Sequence, residues 1–488
     1  MCGFLFVSQN QNEISEDEFE RTVDLQVWRG PDAKSVLVSA GGSVMFGHNR
    51  LSIIDPYSRS NQPMKSECGR YTIVYNGEIY NHLSVRDELG LSCITASDTE
   101  TLLAGFQKLG LKILDYIDGM FAFVVYDHSE SCWYAARDRF GIKPLFIFRD
   151  KNKVVIGSEA GAIAKMLNLT TDSESIKEWK LLRRPVPGYS FFENLQEFPP
   201  ASYCSSEMNH FETYWELLPA EEPYSQGVFN SLLEESVKEH QLSDVENVSL
   251  LSGGIDSALI TLLSDVGRAY SVGSKSNNEF EGANESASVS NVELKEVVVD
   301  EVLLDSTWRK LIQLRGEPLS VPNEGLIYLV CMQMDSTEKV VLTGEGADEL
   351  LFGYDGIFRW ALKDEWEGEV AFLRRYGYAL DVQPSRRSIE YVRKLKKSKS
   401  VIEFVEDFFW FFHLPGLLRR MDFASMAASK EARVPFVSRK LAEYMYRRPH
   451  QVKINQVESK IPARSFALSV GLSGAVARKK IGFSATTI

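Results

Sequence analysis

Three short stretches of the chain combine residue types that could do chemistry. Cys2 follows the initiator methionine, whose removal would leave a thiol and an α-amine on one residue. A free α-amine has a pKa of about 7.7–8.0, so it can act as a base that activates its own nucleophile. The stretches Ser252–Ser257 and Gly344–Glu349 join glycines to hydroxyls and carboxylates, which suits binding of phosphate and metal ions. Taken alone, however, a cysteine at position 2 is better explained as accidental and buried.

The stretch Ser252-Gly-Gly-Ile-Asp-Ser257 lies between a predicted strand and a predicted helix. The apolar run from Val248 to Leu251 predicts a buried strand, and Ala258 to Ser264 predicts a helix. Small residues at such a junction leave backbone N–H groups free to bind phosphate oxygens. The stretch has no Gly-Lys-Ser/Thr, so it is not the usual P-loop. Its ordered string resembles the pyrophosphate loop of enzymes that cleave ATP between the α and β phosphates.

Composition indicates a globular protein of more than one domain. The 488 residues suffice for two to four domains, and 44% hydrophobic with 25% charged residues is ordinary. A net charge of -13 argues against nucleic acid as a partner, although local ATP binding remains compatible with it. Six scattered cysteines without a CxxC pair predict neither a disulfide framework nor zinc, and favour a cytoplasmic location. We expect no signal peptide and no membrane association, because no apolar run has the required length.

Polar motifs in the first half supply candidate partners for Cys2. Arg50 is predicted at the start of an apolar strand, and Asn76-Gly77 follows a β-type run as a predicted turn. A side-chain amide and a glycine N–H are the donor types that build an oxyanion hole. Ser97 is a predicted helix N-cap, with Asp98 next to it. Each motif also has a purely structural interpretation: a hairpin turn for Asn76-Gly77, and a surface ion pair for Arg50 and Asp98.

Together these motifs resemble the N-terminal-nucleophile glutaminase domain of the glutamine-hydrolysing asparagine synthetase family. The matching segments, in order, are Met1-Cys-Gly3, Arg29-Gly-Pro-Asp32, His48-Asn-Arg-Leu-Ser-Ile53, Asn76-Gly-Glu-Ile-Tyr-Asn81, Ser97-Asp-Thr-Glu100 and Gly119-Met-Phe-Ala-Phe123. The resemblance implies a class II glutamine amidotransferase domain over residues 1–212, folded as a four-layer αββα Ntn-hydrolase sandwich. It implies these roles: Cys2 as nucleophile, Asn76 and Gly77 as oxyanion donors, Arg50 for the glutamine α-carboxylate, Asp98 for its α-amine, and Glu78 as a further substrate contact.

A boundary between domains is predicted where the composition changes. Glu216 to Gln226 is rich in proline and glutamate and has no periodicity, so residues 213–226 are interpreted as a linker. From residue 227 to 488, predicted strands alternate with helices. That order predicts a parallel, Rossmann-like sheet, in which ligands bind beyond the carboxyl ends of the strands.

The second half resembles the ATP pyrophosphatase (amide synthetase) domain of the same family. Three more segments match it: Gly344–Glu349, Glu431-Ala-Arg-Val-Pro-Phe436 and Ser459–Arg464. The resemblance implies an ATP site at Leu250, Ser252, Gly253, Gly254, Asp256, Ser257, Val272, Thr343 and Gly344, Mg²⁺ at Asp256 and Asp348, and catalytic roles for Glu345 and Lys460, the latter neutralising pyrophosphate as it leaves. Simple helix-capping acids are the alternative for Asp348 and Glu349. Arg433 is predicted to be a buried structural arginine rather than a substrate contact.

The resemblance implies an enzyme that uses glutamine, ATP and Mg²⁺ to amidate a carboxylate. L-Aspartate is the default acceptor, with a uronic-acid sugar nucleotide or a peptide as alternatives; a ring-closing synthetase fits less well because the glutaminase residues are intact. A non-catalytic regulatory homologue is the alternative from another class. Departures from the family pattern put the acceptor in doubt: a Ser/Asn-rich segment over 274–292, Leu351-Phe-Gly-Tyr354 in place of Phe-Gly-Gly-Tyr, and Ser438 where Asp is usual. Relatives suggest a homodimer.

Overall fold

The computed structural model describes residues 2–275, 277–379 and 381–478. Met1, which the sequence interpretation used, lies outside the described residues. So do residues 479–483 of Arg478-Lys-Lys-Ile-Gly-Phe483, a run that also resembles the family and is otherwise interpreted as a solvated basic tail. Within the described ranges the chain forms two antiparallel sheets of six strands each, followed by a parallel sheet of five strands.

The two antiparallel sheets and their helices occupy the first part of the chain. Their strands are β1 (Cys2–Gln9), β2 (Ala33–Val38), β3 (Val44–Arg50), β4 (Met64–Lys65), β5 (Tyr71–Ile79), β6 (Gly119–Asp127), β7 (Cys132–Arg137), β8 (Phe146–Arg149), β9 (Lys153–Gly157), β10 (Leu195–Glu197), β11 (Ser202–Ser205) and β12 (Glu212–Thr213). The helices are α1 (Glu16–Asp24), α2 (His82–Leu89), α3 (Asp98–Leu109), α4 (Ala160–Leu167) and α5 (Ser173–Leu182). One sheet has the order β10-β8-β9-β1-β3-β2 and the other β12-β11-β7-β6-β5-β4.

These elements pack in four layers. Phe19 of α1 and Ile163 of α4 cover the outer face of the first sheet. Phe6 and Val124 belong to a core between the two sheets. Phe106 of α3 packs on the outer face of the second sheet. The αββα sandwich predicted from the resemblance is therefore confirmed.

The second part of the chain is built on the parallel sheet. Its strands are β13 (Glu246–Leu250), β14 (Arg268–Gly273), β15 (Glu293–Val298), β16 (Glu338–Leu342) and β17 (Glu431–Arg433), in the order β15-β14-β13-β16-β17. The helices are α6 (Gln226–Glu239), α7 (Ile255–Leu263), α8 (Phe280–Ser290), α9 (Glu301–Arg315), α10 (Asn323–Cys331), α11 (Ala347–Leu350), α12 (Asp355–Ala361), α13 (Glu369–Tyr376), α14 (Arg386–Lys396), α15 (Val401–Phe408), α16 (Leu414–Met426), α17 (Arg439–Met445), α18 (His450–Lys453), α19 (Ile461–Ser469) and α20 (Ser473–Ala477). Strand order reverses between β13 and β16, so the loops that follow these two strands meet at the position where such sheets bind ligands.

An apolar interface joins the two parts. Met120 and Ile142, from the antiparallel part, share one buried cluster with Leu342 and Val434 of the parallel part. Trp28 meets Phe423 edge-on, with 5.4 Å between ring centroids. In the part of the chain that the structure describes, no helix is long and apolar enough to cross a membrane.

Two local predictions were wrong, and one was confirmed. Asn76 and Gly77 do not form a turn; they continue β5 and pair with Ala122 and Phe121 of β6, because the β-type run extends through them. Arg50 ends β3 rather than starting a strand. Ser97 is the N-cap of α3, as predicted, and its side chain accepts a hydrogen bond from the Thr99 N–H.

Candidate active sites

Cys2 begins β1 at the wall of a cleft. Its backbone N–H donates to Asn76 Oδ1 at 3.0 Å, and its carbonyl accepts from Arg29 Nε at 2.9 Å. The cleft is also lined by Arg50, Gly77, Glu78 and Asp98, all predicted to surround glutamine. The first predicted site is thus assembled around the cysteine, with Asn76 reaching it through a hydrogen bond.

The Asn76-Gly77 pair offers donors beside Cys2. Asn76 Nδ2 is buried and has no hydrogen-bond partner among the described residues. A Cβ on Gly77 would lie 2.2 Å from the Met120 carbonyl oxygen and 2.7 Å from Phe121 Cα, so only glycine fits this approach of β5 to β6. An unpaired buried amide N–H₂ is a costly group unless a ligand completes it. The arrangement suits an oxyanion that forms next to Cys2.

Arg50 is more constrained than the sequence interpretation foresaw. Its Nη1 donates to Tyr57 O and Asn61 Oδ1, both at 2.9 Å, and its Nη2 donates to Ile54 O at 3.1 Å and Asp55 O at 2.6 Å. Four of the five guanidinium donors therefore hold the loop after β3. A carboxylate would bind through Nε or replace one of these oxygens.

The acidic residues of this cleft differ in their surroundings. Asp98 accepts from the Tyr75 hydroxyl at 2.6 Å and from the Ile79 N–H at 3.1 Å. Glu78 Oε1 is buried and finds no hydrogen-bond partner in the described ranges, whereas Oε2 accepts from Arg433 Nη2 at 3.1 Å. Burial and the nearby Asp98 raise the pKa of Glu78 well above its ordinary value, and Arg433 opposes that shift. Within the described residues, Oε1 of Glu78 is thus available to bind a ligand.

Burial also shapes the acid–base chemistry at Cys2. It raises the pKa of the Cys2 thiol, and a backbone hydrogen bond from Leu51 and the charge of Arg50 partly oppose the shift. Burial lowers the pKa of the neighbouring His48 to about 3, so its imidazole stays neutral, with Nε2 at 3.0 Å from Tyr75 O. With a pKa of about 3, His48 is too weak a base to take the proton of the Cys2 thiol effectively.

The second cleft opens at the carboxyl ends of β13 and β16. It encloses about 1330 Å³, part of it open to solvent. The predicted ATP residues on its wall are Leu250, Ser252, Gly254, Asp256, Ser257, Val272, Thr343 and Gly344, joined by Glu345 and Asp348. Gly253 and Lys460 are not on the wall, although Lys460 bonds two residues that are.

The loop after β13 is shaped to receive phosphate. Gly254 is the N-cap of α7 and no side chain caps this helix end. The hydroxyls of Ser252 and Ser257 lie 2.9 Å apart and fix the turn, since the Ser252 N–H also donates to Ser257 Oγ at 3.0 Å. Uncapped N–H groups at a helix N-terminus, in a rigid turn of small residues, form a favourable environment for an anion.

Lys460 links the two predicted magnesium ligands. Its Nζ is 2.6 Å from Asp256 Oδ2 and 2.5 Å from Asp348 Oδ1. Asp256 Oδ1 is buried with no hydrogen-bond partner within the residues described. Two carboxylates near a phosphate site fit Mg²⁺, which takes one or two carboxylates and completes its shell with substrate phosphates and water. Among the described residues, no group of three or more His, Cys, Asp or Glu side chains could hold a metal ion.

Two glycines let the elements of this cleft approach one another. A Cβ on Gly344 would lie 2.8 Å from the Ser257 backbone N and 2.9 Å from Asp256 backbone C, so the loops after β13 and β16 touch through this glycine. On Gly353, a Cβ would come within 1.9 Å of Asp348 Oδ1. The glycine in Leu351-Phe-Gly-Tyr354 is therefore required by the lysine–carboxylate cluster, although the preceding residues depart from the family pattern.

Sequence reasoning missed the far wall of the cleft. Glu345 Oε1 is paired with Arg420 Nη2 of α16 at 3.0 Å. His413 ends a π-helical turn over Phe409–His413, with Nε2 at 3.0 Å from the Tyr354 hydroxyl and Nδ1 at 2.6 Å from the Tyr376 hydroxyl. Burial lowers the pKa of His413 to about 3. The departure of 351–354 from the family pattern was the one sequence signal near this wall.

Comparisons with known proteins agree with this geometry. A family model described as "Glutamine amidotransferase domain" matches residues 1–215, and one described as "Asparagine synthase" matches residues 228–488. The chain belongs to the asparagine synthase family. It is a family of carbon–nitrogen ligases. In this chain a glutamine amidotransferase domain precedes the synthase domain, as the sequence resemblance predicted.

Relatives in the asparagine synthase family are moderately similar to the chain. Asparagine synthetase [glutamine-hydrolyzing] 3 of Bacillus subtilis is 28% identical, over 94% of this chain and 83% of its own length. Asparagine synthetase [glutamine-hydrolyzing] 1 of the same organism is 30% identical over 73% of this chain, and a putative asparagine synthetase of Mycobacterium tuberculosis is 30% identical over 81%. The chain spans 59% and 65% of the lengths of these last two.

Solved structures are more distant. The glutamine phosphoribosylpyrophosphate amidotransferase of Bacillus subtilis gives a TM-score of 0.34 at 14% identity, over 72% of this chain and 77% of its own. The NH3-dependent NAD synthetase of Campylobacter jejuni gives 0.22 at 17% identity, over 41% of this chain and 94% of its own.

Proposed function

We propose that the protein is a glutamine-dependent, ATP-consuming amidotransferase that adenylates a carboxylate and amidates it with ammonia from glutamine. One observation carries the proposal: Cys2 and the pyrophosphate-type loop each line a cleft, in two parts of the chain joined by an apolar interface. We propose the division already drawn from the sequence, with a glutaminase domain over 1–212, a linker over 213–226 and a synthetase domain over 227–488. The scattered cysteines favour a cytoplasmic enzyme.

The first half-reaction takes place at Cys2. Its sulfur attacks the glutamine amide carbon, and the carbonyl oxygen becomes an oxyanion within reach of Asn76 Nδ2 and the Gly77 N–H. Collapse of this intermediate breaks the C–N bond, and the nitrogen leaves as ammonia after taking a proton. Water then hydrolyses the thioester to glutamate. In the mature chain the α-amine of Cys2 takes the thiol proton, since His48, with a pKa of about 3, is too weakly basic to do so.

Substrate selection in this cleft is assigned to three charged groups. Arg50 Nε faces the α-carboxylate of glutamine, and Asp98 and the free Oε1 of Glu78 accept hydrogen bonds from its α-amine. Because the other donors of Arg50 hold the loop from Ile54 to Asn61, the guanidinium is already fixed before glutamine arrives.

The second half-reaction takes place at the carboxyl ends of β13 and β16. The loop from Ser252 to Ser257 holds the β and γ phosphates, and Leu250 and Val272 line the nucleotide side of the cleft. The acceptor carboxylate attacks the α phosphorus, which breaks the bond to the pyrophosphate. Lys460, freed from Asp256 and Asp348, neutralises the departing charge. Mg²⁺ bound by Asp256 and Asp348 would add positive charge to the phosphates.

Ammonia then attacks the acyl-adenylate, and AMP leaves. Glu345 accepts the proton that the nitrogen loses, and Arg420 holds its carboxylate in place. An apolar cluster containing Met120, Ile142 and Val434 joins the two parts of the chain. An apolar route keeps ammonia neutral and hence nucleophilic, so we propose that ammonia passes through this interface. L-Aspartate is the proposed acceptor, and a homodimer the proposed assembly.

Single substitutions separate the two half-reactions. Cys2→Ala should abolish glutamate release and glutamine-dependent synthesis, while synthesis from ammonium salts persists. Asp256→Asn should stop pyrophosphate release with either nitrogen source and leave the fold intact, because the amide keeps the side chain's size. Glutamate and pyrophosphate are measured separately, over a panel with aspartate, a uronic-acid sugar nucleotide and a peptide. Continued glutamine use by Cys2→Ala, or no pyrophosphate release with any acceptor, would reject the proposal.

A further inference from the structure

Arg433 is buried where the two parts of the chain meet. It is 0% exposed, and four of its five guanidinium donors are engaged. Nε donates to Glu431 Oε1 at 2.6 Å, and Nη1 donates to the carbonyls of His240 at 2.8 Å and Leu242 at 2.6 Å. Nη2 donates across the interface to Glu78 at 3.1 Å. A guanidinium so fully bonded has one orientation, so a shift at any partner is felt by the others.

One end of this contact belongs to the glutamine cleft. Glu78 follows Gly77 directly in β5 and lines the cleft with Cys2. Its Oε1 has no hydrogen-bond partner in the part of the chain described, and its Oε2 is held by Arg433. A ligand that donates to Oε1 therefore shares the Glu78 carboxylate with Arg433, and each contact affects the strength of the other.

The other end belongs to the ATP cleft. The carbonyl of Arg433 accepts from the Thr343 N–H at 3.0 Å and from Thr343 Oγ1 at 3.3 Å. Thr343 lines the ATP cleft, and its Oγ1 accepts from the Glu345 N–H at 3.4 Å. Three consecutive hydrogen-bonded steps thus connect Glu78 to the loop that presents Glu345.

We propose that Arg433 is a positioning residue that couples the two clefts, so that glutamine is hydrolysed efficiently only when the ATP cleft is filled. The inference rests on the proposed function and adds a communication route to it. Filling the ATP cleft orders Thr343 and Glu345, fixes the backbone of Arg433, and thereby fixes Glu78 for glutamine. Binding equilibria coupled in this way are reciprocal, and the effect is typically about 5- to 150-fold.

The charge of Arg433, and not only its packing, supports its role in linking the two clefts. Although burial opposes ionisation, Arg433 lowers the pKa of Glu431 to about 2 and counteracts the raised pKa of Glu78. One cation thus balances two buried carboxylates, one from each side of the interface. Because the guanidinium bonds Glu431 and Glu78 at once, a ligand that shifts either carboxylate alters the contact with the other.

The test compares glutaminase activity with and without ATP and the acceptor. In the wild type, filling the ATP cleft should raise glutaminase kcat/KM by at least about 5-fold, and glutamate and pyrophosphate should form in a ratio near one. Arg433→Lys keeps the positive charge but loses the several N–H donors of the guanidinium. Activation of the glutaminase should therefore fall below about 2-fold, and the ratio of glutamate to pyrophosphate should rise severalfold. Ammonia-dependent kcat should change less than about 2-fold, because the synthetase cleft itself is unaltered.

Controls separate coupling from general damage. Arg447→Lys weakens another largely buried arginine, bound to Glu406 and Asp407 away from both clefts, and should keep the wild-type ratio and activation. Glu431→Gln should uncouple in the same direction as Arg433→Lys, and serves if the latter fails to fold. A wild type that forms no pyrophosphate would reject the proposed function itself. Alternatively, filling the ATP cleft could activate the glutaminase of Arg433→Lys and Glu431→Gln as much as that of the wild type, with glutamate and pyrophosphate still formed in a ratio near one. That result would overturn only the coupling role of Arg433.

Discussion

Lys460→Met tests whether the ammonium of Lys460 offsets the repulsion between two carboxylates in the ATP cleft. The substitution keeps the length and packing of the side chain and removes the ammonium between Asp256 and Asp348. Each carboxylate oxygen lies within 2.6 Å of Nζ, so the two would face each other at no more than about 5 Å. At that distance two negative charges repel by about 3 kcal/mol at an effective dielectric of 20. The side chains are 9%, 12% and 20% exposed, so solvent reduces the expected destabilisation to about 1–2 kcal/mol.

Thermal unfolding measures this cost without any substrate. A loss of about 1–2 kcal/mol should lower the Tm of the synthetase part by about 2–8 °C. Lys460→Met/Asp348→Asn removes the repulsion and should recover most of that loss, while pyrophosphate release stays abolished because no cation neutralises the leaving group. Lys460→Arg is the control that keeps the charge. An unchanged Tm in Lys460→Met, or a double variant less stable than the single one, would refute the assignment of Lys460 as the cation that holds these carboxylates together.

The remaining predictions concern glycines, acid stability and the far wall of the cleft. Gly344→Ala should abolish pyrophosphate release, because its Cβ would lie 2.8 Å from the Ser257 backbone N, whereas Gly267→Ala, with nothing within 4 Å, should be neutral; activity equal in both would contradict the close approach. His413 has a folded pKa of about 3 against about 6.5 when unfolded, so only the unfolded chain gains this proton between those values and stability falls as pH drops below about 6.5. His413→Gln should flatten the decline in Tm between pH 7 and 5, and an unchanged decline would argue that the imidazole is already charged. Arg420→Met should lower kcat for synthesis from ammonia about 10-fold or more with little change in KM for ATP, since it frees Glu345; a change in KM alone would assign Arg420 to nucleotide binding instead.

Sequence patterns were sufficient wherever local chemistry and local structure coincide. The string Ser252–Ser257 needs small residues both for its turn and for phosphate, so one pattern predicted the loop and the strand before it. The helix after it was also predicted, although α7 begins at Ile255 rather than at Ala258. The apolar run Gly119–Asp127 forms β6 over its whole length, because it is continuous and bounded. Ser97 was predictable as an N-cap, since a short hydroxyl before an acidic first turn stabilises few other structures.

Patterns failed where pairing across the sheet decides the local structure. Asn-Gly is typical of hairpin turns, yet Asn76 and Gly77 lie within β5, because nine consecutive residues of β5 pair with β6 and outweigh the local preference. Gly77 is required by the closeness of β6 rather than by a turn. His413 could not be found at all, since a π-helical turn leaves no composition signal and its tyrosine partners are 37 and 59 residues away in sequence.

In both clefts the charged side chains contact other groups of the protein, and substrates must exchange these contacts. Lys460 binds the two carboxylates proposed to meet magnesium and pyrophosphate, and Glu345 is paired with Arg420. Arg50 likewise uses four donors on its own loop. These internal pairs keep buried charges compensated before substrates arrive, when isolated charges would cost several kcal/mol each. They also lower substrate affinity, because each bond to a ligand replaces one within the protein. Specificity then depends on groups without a partner among the described residues, which include Asn76 Nδ2, Glu78 Oε1, Asp256 Oδ1 and Arg420 Nε, since a ligand that satisfies them gains bonds and loses none.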